Sequence, residues 1–220
     1  GHQVSTYVAG EMLKMAGYTV EYVDVTNETV WDAMAAGDVH ANLEAWSTSL
    51  PEGFSDLVNN GQVMDLGDLE LYAQEGIAYP AHVEELCPGL PAWEALRDCA
   101  AVFATSETGD QGRLLGYPTV WGSPGADRLT GLGLPFQSEP AADEQQLIDE
   151  LRQATENNTA LLLTFWQPHW AMMEYNVKFV QLPAAEPACY SDPSWGSNPN
   201  AVNDCGFDVP RILKAGWGGV

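Results

Sequence analysis

Three tryptophans stand at the ends of predicted strands. Trp46 ends "VHANLEAW", Trp121 follows "RLLGYPTV", and Trp166 ends "TALLLTFW". A single Trp in such a place is most often partly buried in a core. Because the carboxyl ends of strands meet at one edge of an α/β sheet, three of them together indicate a shared, aromatic-lined volume. Such a volume suits a quaternary ammonium, with about 0.5 to 2 kcal/mol from each ring contact once water is excluded.

The stretch "VWGSPGADRL" places one of these rings, Trp121, beside a predicted helix start. Ser123 is the expected N-cap, Pro124 the first helical residue, and Asp127 lies in the first turn. Backbone N–H groups at a helix start bind anions, so Gly122 and Ser123 are candidate donors to a carboxylate. Glycine at 122 also allows a ligand to approach the backbone closely. Ordinary helix capping is the alternative explanation.

Other polar side chains stand close to the tryptophans in the sequence. His169, in "FWQPHW", follows Trp166 by three residues at the start of a predicted helix. It is a candidate donor to the same carboxylate, although a lone His is more often structural. Glu44 and Asn42 share a face with the Trp that ends their strand, by the period of two. They either meet a ligand hydroxyl or are solvated.

Motifs for catalysis are absent from the sequence. It contains no G-x-S-x-G, H-E-x-x-H, Walker or Rossmann pattern. No C-x-x-C or clustered His spacing indicates a metal, and no cofactor is predicted. Acidic residues are so frequent that a carboxylate pair at glycosidase spacing can arise by chance. We therefore expect a protein that is not an enzyme.

Charge and hydropathy exclude further classes of function. The 220 residues include 31 acidic and 8 basic ones, a formal charge of −23, which argues against nucleic-acid or anionic-membrane partners. No apolar run approaches the ~18 residues of a membrane-spanning helix, so no direct membrane insertion is predicted. The chain opens inside a predicted amphipathic helix. We therefore expect the strand that normally precedes it to be absent, as in a fragment.

The four cysteines fall into two local pairs. Cys87 lies near Cys99, and Cys189 lies near Cys205, each pair in a loop rich in Pro or Gly. An even count in such loops indicates two short disulfides and an oxidising compartment. Four reduced cysteines are the alternative.

Alternation of apolar and polar residues predicts an α/β chain. The predicted strands are "YTVEYVDV", "VHANLEAW", "GQVMDLG", "EGIAYPAHV", "RLLGYP", "TALLLTFW" and "VKFVQLP". The helices predicted after the first are "ETVWDAMAAGD", "PAWEALRDCAAVFA", "SPGADRLTGLG", "DEQQLIDELRQATENN" and the short "VPRILKAG". The alternation of predicted strands and helices is interrupted by the polar segment "ATSETGDQG" and then starts again. We therefore predict two lobes with a ligand cleft between them. Lobe I comprises residues 1–105 with 186–220 returning to it, and lobe II comprises 106–185.

Five stretches that together span most of the chain carry a resemblance to a known family. They are "GYTVEYVDV", "AMAAGDVHANLEAW", "GIAYPAHV", "VWGSPGA" and "WQPHW". With these stretches the sequence resembles the glycine betaine/proline betaine-binding proteins of osmoprotectant ABC transporters. The resemblance implies a type II periplasmic-binding-protein fold, a periplasmic location and delivery of a small zwitterionic or cationic solute to a membrane permease. It also implies that Trp46, Trp121 and Trp166 form a cage for trimethylammonium, and that the Gly122 and Ser123 amides bind a carboxylate.

The resemblance has one departure near the first cage residue. Family members often carry a His shortly after it, whereas this chain has Leu50 in "WSTSLPEG", which leaves His169 as the possible substitute. We expect glycine betaine as the ligand, with choline, carnitine and dimethylsulfoniopropionate as alternatives. A secreted carbohydrate-active protein, in which the tryptophans stack on sugar rings, is the alternative from another class. Three rings around one compact volume favour a cation, and a row of coplanar rings along an open groove favours a sugar.

Overall fold

A computed structural model describes residues 2–26, 28–46, 50–51, 53–122, 124–182 and 211–218. The α-helices in this part of the chain are α1 (His2–Met15), α2 (Val30–Ala36), α3 (Phe54–Asn59), α4 (Val83–Leu86), α5 (Ala95–Cys99), α6 (Pro124–Gly131), α7 (Glu144–Asn157) and α8 (Trp170–Glu174). The strands are β1 (Ala41–Trp46), β2 (Val63–Pro80), β3 (Pro88–Pro91), β4 (Gly112–Gly116), β5 (Phe136–Pro140), β6 (Leu163–Gln167), β7 (Val177–Phe179) and β8 (Arg211–Gly218). Two short 3-10 helices span Ala100–Phe103 and Thr119–Trp121.

The chain divides into two compact units. Unit 1 comprises Gly1–Ala73 and Arg211–Val220, and unit 2 comprises Gln74–Pro210. Sequence analysis placed the first crossing near residue 105, whereas residues 74–105 pack with the segment that follows them. The reason is a shared core, because Ile77 and Phe103 belong to the same buried cluster as Leu114.

Unit 1 is built on an antiparallel sheet. Strand β8 pairs with β1 on one side and with the first part of β2 on the other. The core beneath α2 includes Trp31, whose ring meets that of Phe54 edge-on at 4.9 Å. Gly37 ends α2 in the left-handed conformation with φ +81°, as its position after the predicted helix indicates.

Two sequence predictions in unit 1 are wrong. The segment "VPRILKAG" was expected to be helical, but Arg211–Gly218 is a strand because its backbone groups pair with two neighbouring strands. The segment "YTVEYVDV" was expected to be a strand, but residues 18–26 have no sheet partner among the described residues. An apolar alternation forms a strand only where a neighbour supplies the hydrogen bonds.

Unit 2 contains a mixed sheet. Strand β4 runs parallel to both β5 and β6, and the second part of β2 pairs antiparallel with β6 and β7. The predicted strands "RLLGYP" and "TALLLTFW" are therefore confirmed, while "GQVMDLG" and "EGIAYPAHV" belong to the single strand β2. The helix predicted over "PAWEALRDCAAVFA" is shorter, with α5 passing directly into a 3-10 helix.

Helix α7 covers one face of this sheet. Asp143 is its N-cap, and a side-chain oxygen of Asp143 accepts the Gln146 N–H at 2.9 Å. The buried face of α7 comprises Leu147, Ile148, Leu151 and Ala154. Leu147, Leu151 and Ala154 share a cluster with Leu115 of β4 and with Leu163 and Phe165 of β6, so the packing holds the two parallel strands side by side. In the described part of the chain, no helix is both long and apolar enough to cross a bilayer.

Cys87 and Cys99 form a disulfide with a Cα–Cα distance of 5.6 Å, which confirms the first predicted pair. Cys87 is fully buried and belongs to the same cluster as Ile77 and Leu114. Cys189 and Cys205 lie outside the described residues, and their pairing stays a prediction.

Replacing Cys87 and Cys99 together by Ala should lower the free energy of unfolding by about 2 kcal/mol, because the loop no longer restricts the unfolded chain. Urea denaturation measures this change. The matched control replaces Cys189 and Cys205 by Ala and leaves the described disulfide intact. Unchanged stability in the Cys87/Cys99 variant would show that the disulfide contributes nothing, and mass spectrometry without reduction tests the second pair.

Candidate functional site

Three aromatic rings in unit 2 meet nearly at right angles. Trp121 and Trp166 have centroids 5.6 Å apart and planes inclined at 83°. Tyr117 lies 5.7 Å from each of them, at 68° to Trp121 and 72° to Trp166. Tyr117 is 4 % exposed and Trp121 is 37 % exposed, so the group has a buried floor and an accessible edge. We call Tyr117, Trp121 and Trp166 the aromatic corner.

The parallel pairing of β4 and β6 produces this group. Tyr117 directly follows β4, and Trp166 lies near the carboxyl end of β6. The two strands are paired through Leu115 and Leu163, so their carboxyl ends reach the same edge of the sheet. Trp121 joins them because the short 3-10 helix Thr119–Trp121 turns the chain back after β4.

Trp46 lies at the end of β1 in unit 1. Its indole Nε1 donates to Glu44 Oε1 at 2.8 Å, and Asn42 Oδ1 accepts the Glu44 N–H at 3.2 Å. The pairing of β1 with β8 shifts register between Asn42 and Ala45, which interrupts the simple alternation that sequence analysis assumed. Leu50, at the position where the family resemblance predicts a His, packs against the unit 1 core. The role of Trp46 in a ligand cage stays a prediction.

Gly122 has a backbone conformation that other residues avoid. Its φ is +84° and its ψ is 175°, and a Cβ added there would have no neighbour within 4 Å. Glycine is therefore required here by the positive φ of the backbone, since a side chain at this position would not clash with any neighbour. Its N–H donates to the Thr119 carbonyl at 3.1 Å, so this predicted anion donor is engaged within the turn. Ser123, the second predicted donor, lies outside the described residues.

His169 lies behind Trp166, with its side chain 2 % exposed. Nδ1 accepts the Ala171 N–H at 3.1 Å and thereby caps α8, while Nε2 is 3.2 Å from Glu144 Oε1. The hydrogen bond to His169 holds the pKa of Glu144 below its ordinary value, against the opposite effect of burial. Both ring nitrogens of this predicted ligand residue therefore have partners inside the protein.

Sequence reasoning missed two residues of this region. Tyr117 lies near the end of the predicted strand "RLLGYP", as Trp46 and Trp166 do in theirs, so the same strand-end rule could have found it. Glu144 is 25 residues from His169, and nothing in the local sequence indicates that α7 and α8 bring them together. The described residues include no group of three or more His, Cys, Asp or Glu side chains arranged to share a metal ion.

Helix α6 approaches the sheet closely just after the aromatic corner. A Cβ added at Gly125 would overlap Thr164 Oγ1 and come within 2.7 Å of Leu114 Cδ2. Thr164 and Leu114 are both fully buried, so neither side chain can move out into solvent.

The substitution Gly125→Ala should therefore lower the free energy of unfolding by about 1 to 2 kcal/mol through overpacking. It should also weaken ligand binding, because α6 follows Trp121 by only three residues. Urea denaturation and calorimetric titration measure the two effects. Adding Thr164→Ala should restore part of the stability, and strictly additive losses would contradict the proposed clash.

Comparison with known proteins agrees with this fold. Residues 1–213 match the family model described as the substrate binding domain of ABC-type glycine betaine transport systems. The chain belongs to this family.

One curated relative is the trimethylamine N-oxide-binding protein of Pelagibacter ubique (strain HTCC1062). It is 32 % identical over 174 residues, which cover 76 % of this chain and 55 % of the relative. The chain thus spans about half the length of that protein.

Solved structures show the same fold at lower identity. The glycine betaine/L-proline transporter binding protein of Borrelia burgdorferi has a TM-score of 0.67 and 17 % identity, with 99 % of this chain and 71 % of that chain covered. A lactococcal protein complexed with glycine betaine has a TM-score of 0.64 and 17 % identity, with 99 % and 72 % covered. A choline-binding protein complexed with choline has a TM-score of 0.63 and 13 % identity, with 97 % and 66 % covered. The predicted α/β fold of these binding proteins is therefore confirmed.

Proposed function

We propose that this protein binds a compact solute with a trimethylammonium group and delivers it, chemically unchanged, to the permease of an ABC transporter. The observation that supports this most directly is the aromatic corner, with three rings within 5.7 Å of one another and planes inclined at 68° to 83°. Membership of the glycine betaine family supports the same conclusion.

The electrostatics of aromatic rings explain the choice of ligand. The ring faces are negative, so a cation without hydrogen-bond donors is attracted by several faces at once and loses few bonds to water. Rings inclined at large angles surround a compact, rounded group, as a trimethylammonium requires. A sugar would instead need a flat platform, and the angles in the aromatic corner therefore disfavour the carbohydrate-active alternative.

Glycine betaine is the first candidate ligand, because the family model describes glycine betaine transport. Trimethylamine N-oxide is the second, and one observation favours it. The amide of Gly122 and both ring nitrogens of His169 already have partners, so two of the predicted carboxylate donors are engaged. A single N-oxide oxygen needs fewer donors than a carboxylate, and the curated relative is a trimethylamine N-oxide-binding protein.

Calorimetric titration of the purified protein with a ligand series tests the proposal. Betaine, trimethylamine N-oxide and tetramethylammonium should bind, whereas the analogue of betaine with carbon in place of the ammonium nitrogen should not. Choline should bind more weakly than betaine by about 1 to 3 kcal/mol if a carboxylate site exists. Binding of oligosaccharides with none of the ammonium compounds would overturn the proposal.

We further propose a periplasmic location and no enzymatic activity. The disulfide between Cys87 and Cys99 suits an oxidising compartment, and the family is one of transport.

Trp46 is included in the proposed cage because of its sequence position alone. Trp46→Ala should then weaken binding of every trimethylammonium ligand, and unchanged affinity would remove it from the cage.

A further inference from the structure

We propose that Glu144 and His169 form a positioning pair that holds the Trp166 ring in the aromatic corner, and that His169 does not donate to the ligand. The effect on affinity rests on the proposed function, whereas the effect on the ring does not. Neither residue needs to touch the solute. The pair joins the first turn of α7 to the N-cap of α8, with Trp166 on β6 packed against it.

The two hydrogen bonds of His169 define its proton position. Because Nδ1 accepts the Ala171 N–H at 3.1 Å, it carries no proton itself. The proton therefore lies on Nε2, which donates to Glu144 Oε1 at 3.2 Å. One neutral tautomer satisfies both bonds, so no N–H of this ring remains for a ligand carboxylate.

The packing of the imidazole transmits this fixed orientation to the tryptophan. The His169 ring lies 4.9 Å from the Trp166 ring at 73°, and also 4.9 Å from Phe165 at 77°. Trp166 is thus bounded by His169 and Phe165 in addition to Tyr117 and Trp121. A ring that is already ordered loses less conformational freedom when a ligand binds.

The acceptor on α7 completes the arrangement. Glu144 is 45 % exposed and reaches inward to a histidine side chain that is 2 % exposed. Without this carboxylate, the Nε2 proton of the buried His169 ring would have no acceptor among its described partners. The orientation of the ring would then no longer be fixed, because a buried donor without an acceptor is unfavourable.

The substitution His169→Asn separates positioning from helix capping. Asn caps helices well through its side-chain oxygen, but it has no ring to place against Trp166 and is too short to reach Glu144. The variant should stay folded, as circular dichroism can show, but with a lower stability to urea, because the cap is kept while the packing of the buried ring is lost. Affinity for betaine, trimethylamine N-oxide and tetramethylammonium should fall about threefold to tenfold in parallel, the cost of ordering one side chain. A loss for betaine alone would make His169 a carboxylate donor and overturn the proposal, as would unchanged affinity for all three.

Substitutions at Glu144 test the pair without a ligand. The protein is labelled with 5-fluorotryptophan, and the Trp166 signal is assigned by its absence in Trp166→Phe. We expect one sharp ¹⁹F line for Trp166 in the native protein and in Glu144→Gln, which retains an acceptor oxygen. Glu144→Ala should broaden or split that line, while Glu156→Ala, an exposed carboxylate on the same helix, should not.

An unchanged line in Glu144→Ala would overturn the positioning pair even if all ligands bind as proposed. Conversely, a broadened line in a protein that binds no ammonium compound would refute the proposed function and leave the positioning pair intact. The two failures are thus distinguishable.

Discussion

Replacing Trp166 with Ala should weaken binding of betaine or trimethylamine N-oxide by about 2 to 3 kcal/mol, roughly 30-fold to 150-fold in dissociation constant. The reason is the central position of this ring, which contacts Tyr117, Trp121 and His169. Its loss removes one face of the aromatic corner and the packing that orders the other two. Calorimetric titration, with circular dichroism to show that the variant is folded, measures the effect.

Two variants sharpen this prediction. Trp166→Phe should lose less affinity, because a smaller face remains on the same strand. Trp93→Ala is the matched control, since Trp93 packs against the other core cluster of unit 2 and pairs with Arg97. Equal affinity in Trp166→Ala and the native protein would show that the aromatic corner is not the cation site.

Replacing Arg113 with Met should lower the free energy of unfolding by about 2 kcal/mol at neutral pH, between the effect of an exposed ion pair and the ~3 kcal/mol expected for breaking a fully buried one. Arg113 on β4 donates to Glu139 on β5 at 2.7 Å and to both oxygens of Glu150 on α7, at 2.6 and 3.0 Å. The Arg113 side chain is 19 % exposed. Removing it leaves two carboxylates side by side without a cation.

The effect of Arg113→Met should depend on pH in a defined direction. Burial alone would raise the pKa of Glu150, but hydrogen bonds from Arg113 and Gln146 outweigh it and hold that pKa below its ordinary value. A carboxyl with a lowered folded-state pKa stabilises the fold above its unfolded pKa of about 4.3, and this stabilisation is lost as pH falls through the folded value. The stability difference between native and variant protein should therefore shrink as pH falls from about 5.

Denaturation in urea across that pH range measures the difference. Arg152→Met is the matched control, because Arg152 pairs with Asp149 on the exposed surface of α7. That pair should contribute less than about 0.5 kcal/mol. A difference for Arg113→Met that stays constant down to pH 3, or one no larger than for Arg152→Met, would contradict the assigned role of the network.

The local pattern of residue types in the sequence was sufficient to predict several strands, one long helix and one disulfide of this protein. Strands β1, β4 and β6 were predicted from the pattern of their apolar residues, and α7 was predicted from its amphipathic period. The disulfide was also predicted, since Cys87 and Cys99 are only 12 residues apart in a Pro-rich segment. In each case the interacting groups are near neighbours in sequence, so their spacing contains the information.

Tertiary structure decided the features that join distant segments. Strand pairing made Arg211–Gly218 a strand, whereas residues 18–26 have no strand partner in the described part of the chain and lie outside a sheet. The same is true of the site, where Trp166 was predicted by its strand end but the direction of His169 was not. The hydrogen bond to Glu144 turns that imidazole inward, and it depends on how α7 and α8 pack on the sheet. Sequence spacing indicates which residues reach one edge of a sheet, whereas the orientation of each side chain is set by partners that the spacing does not contain.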